Sequence, residues 1–182
     1  MKTTNLFAVT SCAMIAVLAS SAAVAASKAK IDMRVERALH HFNRINPAHE
    51  SLEANAAGEL VFPRITKGGI GVAGEYGEGA LRVHGQTVGY YSVSAASVGL
   101  TVGLAKHSEV ILFNTQEALD KFTNSKGWAV GADVGIAVAS KGAGADYDTV
   151  TMKKPVVAFV FGEKGLIADA SVDGTKVNKI ER

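Results

Sequence analysis

Five basic residues near the start of the chain, Lys28, Lys30, Arg34, Arg37 and Arg44, would lie on one helix around an apolar stripe. That stripe is Ile31, Val35, Ala38, Leu39, Phe42 and Ile45, recurring at three- and four-residue spacing. Five basic residues against Asp32 and Glu36 give residues 28–45 a net charge of +3 before His40 and His41 are counted. This pattern suits an anionic membrane surface, where an apolar face inserts and each nearby basic residue adds about 1 kcal/mol. On that reading Ile31, Val35 and Phe42 are the insertion residues. The same pattern also describes a helix packed on a sheet with a merely solvated outer face. Arg64 and Lys67, beside a glycine-rich stretch, are further candidates for contact with anionic lipid.

Other constellations carry less. Gly69-Ile70-Gly71-Val72-Ala73-Gly74 matches the dinucleotide fingerprint, but that chemistry needs a helix to begin there and face its amides to the pyrophosphate. Glu75-Tyr76-Gly77-Glu78-Gly79 follows instead, and its glycines and carboxylates neither continue a helix nor welcome a phosphate. No H-R-D or D-F-G stretch supports a kinase-type loop, and there is no nucleophile elbow or P-loop. The five histidines, His40, His41, His49, His84 and His107, have no metal-ligand spacing. No enzyme, cofactor, metal or nucleotide is therefore expected.

The elements that would position the basic residues follow from the rest of the sequence. After the first helix, Asn46-Pro47 stops and restarts the chain, and Ala48 to Ala57 reads as a second helix ended by Gly58. Between Gly58 and Tyr91 lie nine of the chain's nineteen glycines, interleaved with Val61, Ile65, Val83 and Tyr90. Each glycine costs a helix interior up to about 1 kcal/mol, so the stretch reads as strands with tight turns or close backbone approach. Val98, Leu100, Val102 and Leu104 alternate as a half-buried strand, and Glu109 to Phe113 reads as another. Asn114, with Glu117 three residues on, predicts a helix start, and Gly127 its stop. Asp133 interrupts an apolar strand from Trp128 to Ala139, where satisfying backbone amides at a turn suits it best. Lys141 to Asp148 is a polar loop. Val156 to Phe161 is apolar on both faces and reads as a central strand, with a hairpin into Ile167 to Val172.

Composition bounds the whole. The chain has 182 residues, 48% of them hydrophobic, and a net charge of +2, which gives no support to nucleic-acid binding. Residues 1–26 read as a secretory signal peptide, with Lys2 as the positive end, Leu6 to Ala19 as the apolar run and Ala23-Val24-Ala25 as the cleavage site. Cleavage at the lipoprotein-like Val9-Thr10-Ser11-Cys12 would strand an apolar tail, which argues against it. Cys12 is the chain's one cysteine, so 27–182 has no thiol, and the expected location is periplasmic or secreted.

Roughly residues 35 to 180 resemble the SYLF domain family. The matching residues begin with Phe62-Pro63-x-Ile65-x-Lys67-Gly68-Gly69, Gly71-Val72, Gly74-x-Tyr76-Gly77-x-Gly79-x-Leu81 and Gly89-Tyr90-Tyr91. They continue with Val98-Gly99-Leu100-x-x-Gly103, then Ala118-Leu119-x-x-Phe122-x-x-Ser125-x-Gly127-Trp128-x-x-Gly131-x-Asp133. Ala158-Phe159-Val160-Phe161-Gly162, Gly165-Leu166 and Gly174-Thr175-Lys176 complete the series. Thr101 stands where a glutamine is expected and Ala73 where a glycine is expected. The resemblance implies one lipid-binding domain over 27–182, whose eukaryotic relatives bind phosphoinositides (phosphatidylinositol lipids) and actin. The expected fold is α+β: N-terminal helices and one mid-chain helix on a glycine-kinked antiparallel sheet, its closure into a barrel left open. The expected partner is an anionic phospholipid membrane surface. The alternative is a protein-interaction or structural module of the cell envelope, actin-binding-like by resemblance.

Overall fold

The computed structural model describes residues 27–125, 127–129, 136–139, 153–162, 164–167 and 174–182. The leader expected at 1–26, Cys12, Asp133 and the 141–148 loop lie outside them, as does most of the strand expected to end at Val172. Helix α1 covers residues 27–45 and α2 covers Ala48–Asn55. Pro47 already has helical backbone angles, and the Asn46 side chain accepts from the Ala48 amide at 2.9 Å, so the expected restart is present.

Two long strands then dominate, β1 (Gly58–Val83) and β2 (Gln86–Phe113), paired antiparallel from Gly58↔Phe113 to Val83↔Gln86. They turn through His84 and Gly85, both at positive φ (50° and 76°), the conformation a two-residue hairpin needs. The two strands expected within 88–113 are one. Lys106, His107 and Ser108 break the apolar pattern there without ending the strand, although its pairing with β1 slips opposite Ser108, and Leu104, expected to point inward, is 80% exposed.

Beyond β2 come α3 (Gln116–Asn124), β3 (Trp128–Ala129), β4 (Ala137–Ala139), β5 (Val156–Gly162), β6 (Gly165–Leu166) and β7 (Lys176–Ile180). The α3 cap sits one residue later than expected. Thr115 Oγ1 accepts from the Ala118 amide at 3.2 Å, while the Asn114 side chain donates to the Lys154 carbonyl at 2.8 Å. Opposite β1, β2 pairs with β7 through 90–94 and with β5 through 108–113, and β4 runs parallel to β5.

Glycines let β1 curl back over itself. A Cβ on Gly79 would collide with Val61 O and stand 2.7 Å from Phe62 Cδ1, and one on Gly77 would lie 2.8 Å from Arg64 O. The result is an α+β fold built on a curled half-barrel sheet. The sheet is buried on both faces where β1 begins, β2 ends and β5 runs between elements. Leu60, Phe62, Ile111, Phe113, Ala158 and Val160 join α3's Leu119 and Phe122 in one core. Their sequence neighbours Val61, Val110, Leu112, Phe159 and Phe161 point the other way, into a second core covered by Ile31, Val35, Leu39 and Phe42 of α1.

Helix α1 is therefore docked. Phe42 packs edge-on against Phe159 and is stacked on His49, whose Nδ1 lies 2.6 Å from the Phe42 carbonyl. At the other end Asp32 accepts from Tyr90 (2.8 Å) and Thr87 (3.1 Å) of β2. No helix among the described residues is long and apolar enough to cross a membrane.

Candidate functional site: a basic groove beside α1

The docking of α1 decides which of its residues face outward. Ile31, Val35 and Phe42, expected as insertion residues, are only 4%, 1% and 0% exposed. That assignment is corrected: the sheet's second face has already taken the apolar stripe, and burying it there satisfies the hydrophobic drive a bilayer would otherwise satisfy.

What remains outward is charge. Lys30, Arg34 and Arg37 rise from α1 beside a bulge in β1, where the pairing skips between Phe62 and Ile65. Pro63 has no amide to give the ladder, and its carbonyl accepts instead from Ser108 Oγ at 3.0 Å. The bulge turns exposed Arg64 toward α1. Together these four basic residues line a groove of about 380 Å³ with Met33, which is 47% exposed. The groove continues past Arg34 and Arg64 into a second hollow of about 330 Å³ that reaches Tyr76 and Glu78.

The sequence pointed to seven cations, and the structure brings these four together. The remaining three stand apart. Lys28 lies over the Tyr90 ring at 5.9 Å, Arg44 is exposed away from the groove, and Lys67 pairs with Glu75 at 2.7 Å. Among the described residues, no carboxylate lies within ion-pair distance of Lys30, Arg34, Arg37 or Arg64. Three guanidinium groups and one ammonium, held round a concavity without counter-charge, match an oxyanion such as a phosphate, which a guanidinium grips with two parallel hydrogen bonds. Met33 went unnoticed in the sequence because it falls among the cations rather than in the apolar stripe.

One buried and one half-buried carboxyl also escaped the sequence reading. Glu109, 3% exposed on β2, faces the first core between Phe62 and Val160 in register. Burial pushes it up to about 8, and the Glu75 charge adds to the rise. Glu59, at the start of β1, is pushed up to about 7 by burial and by Glu53, against the pull of Arg82. Alternation alone would have placed Glu109 inward with Ile111 and Phe113; its charge argued the other way. Among the described residues, no three of His, Cys, Asp and Glu stand close enough to hold a metal ion.

No curated protein matches the chain. Residues 94–181 match the family described as Ysc84, Las17-binding protein actin regulator. The match takes in β2 from Ser94, α3 and the strands after it, and leaves the groove's basic residues outside it. Over residues 94–181, just under half of its length, the chain is thus similar to the Ysc84 (SYLF) family.

Proposed function

We propose that this protein is a binding module, not an enzyme, that docks on anionic phospholipid through the groove formed by Lys30, Arg34, Arg37 and Arg64. The observation that carries the reading is the assembly, from two separated elements around one concavity, of four cations that have no carboxylate partner among the described residues; Arg37 donates only to Met33 Sδ, at 3.3 Å. Near an anionic surface each contributes about 1 kcal/mol, so four together raise binding by roughly a thousandfold over a neutral groove. Met33 is the apolar side chain placed to enter the acyl boundary beside them, in place of the buried stripe. With a secretory leader at 1–26, the working compartment is periplasmic or extracellular. The family's description as an actin regulator supports a second reading, a surface for a protein partner of the envelope.

Vesicle co-sedimentation separates the two. Lipid docking requires anionic vesicles, fails on zwitterionic ones and falls steeply between low and high salt, because exposed charges are screened beyond about 10 Å at 0.1 M salt. Equal binding to both vesicle types, or none to either, would overturn it and turn attention to partners captured from an envelope extract.

A further inference from the structure

Behind α1, away from the basic groove, a cleft of about 520 Å³ runs along the seam between the helices and the sheet. The groups that face Glu59 come from every element packed there: Glu36 and His40 from α1, Glu50 and Glu53 from α2, Arg82 from the end of β1 and His84 from the turn after it. Counting Glu59 itself, four carboxylates stand against the single guanidinium of Arg82. Arg82 is already divided. It reaches Glu36 at 3.0 Å, donates to the Gly85 carbonyl at 2.7 Å and meets Glu59 only through a long 3.6 Å contact.

The hydrogen-bond inventory is unbalanced in one direction. Asn43 donates to Glu53 at 3.3 Å, and that leaves Asn43 Oδ1, Glu53 Oε1 and Glu59 Oε2 buried without a partner. All three are acceptors. A buried acceptor without a donor is costly, and these atoms are closed to solvent. A protonated carboxyl supplies the missing donor and removes one of the crowded negative charges in the same step.

We propose that one proton shared between the carboxyls of Glu53 and Glu59 latches the α1–α2 corner onto the sheet, and that its loss to water releases that corner. Burial raises both carboxyls above their ordinary range, which is the direction the latch requires. Folded Glu59 keeps its proton to about pH 7, whereas the same carboxyl in an opened corner ionises near the ordinary value of 4.5. The latch is therefore complete below about pH 4.5 and is lost as pH rises through about 7. Its action is separate from lipid binding, and its test needs no lipid.

The Ala57 amide reports on the corner directly, since it donates to the Phe113 carbonyl of β2 at 2.8 Å just after α2 ends. Hydrogen exchange on the full chain, corrected for the intrinsic pH dependence, should show Ala57 protection falling at least tenfold from pH 5.5 to 8.5. Amides of β7 should hold theirs. In the Glu59→Gln variant, whose amide donates at every pH, Ala57 protection should stay flat. A flat wild-type profile, or the same fall in the variant, would overturn the latch. Should E59Q fail to fold, carboxyl carbon shifts in the unaltered chain decide. A midpoint near 7 for Glu53 or Glu59 supports the latch, and midpoints below 5 for both refute it.

Discussion

Arg64 and Lys67 look alike in the sequence, three residues apart beside the same glycines, yet they have different fates. The bulge at Pro63 sends Arg64 outward to α1, whereas Lys67 folds against Glu75. Nothing in residue type or spacing distinguishes them; the register slip does. Glu109 makes the complementary point, a carboxyl whose neighbours in the ladder are apolar and whose own charge is suppressed by burial. Its folded affinity for a proton is raised, to about 8, so its contribution to stability is full below pH 4.5 and drains away as pH rises to about 8. Glu109→Gln should remove that loss, making the variant more stable than wild type by about 2–4 kcal/mol at pH 8 and nearly equal to it at pH 4. Denaturant unfolding at the two pH values checks this, and identical pH profiles would show that Glu109 is ionised in the folded protein.

At the scale of the element, the strand pair β1–β2 depends on glycine at particular crossings rather than on glycine in general. Gly79 lies where a side chain would strike the Val61 backbone, whereas a Cβ on Gly74 would meet nothing within 4 Å. Gly79→Ala should cost more than about 3 kcal/mol in unfolding free energy, and Gly74→Ala less than about 1. Comparable losses at both would mean that the curl does not depend on close approach at Gly79. The glycine density was legible as strand with close approach, and the apolar run of β5 as a central strand covered on both sides. The amphipathic stripe of α1 was legible as a stripe. Its destination was not, because a bilayer and the second face of a sheet offer an apolar side chain the same relief from water. The α3 cap was missed by one residue because Asn114 and Thr115 are both good caps, and the pull of the Lys154 carbonyl on Asn114 is tertiary.

For the whole molecule, docking α1 on the sheet turns a helix that could have inserted into the wall of a charged groove. It also leaves acidic and basic surfaces on opposite sides of that helix, with the Glu53–Glu59 seam on one and Lys30, Arg34, Arg37 and Arg64 on the other. The family match covers the strands and helix after Ser94, while the groove is built from the part before it. The groove therefore stands or falls on its own chemistry. The most direct measurement compares two double charge reversals for binding to anionic vesicles at low salt. Arg34→Glu with Arg64→Glu removes groove cations, and Lys28→Glu with Arg44→Glu makes the same change in net charge outside it. Docking through the groove predicts a loss of at least thirtyfold for the first pair and less than about threefold for the second, roughly 2 kcal/mol against well under 1. Equal losses would show that any cation on this surface serves and that the groove has no special role.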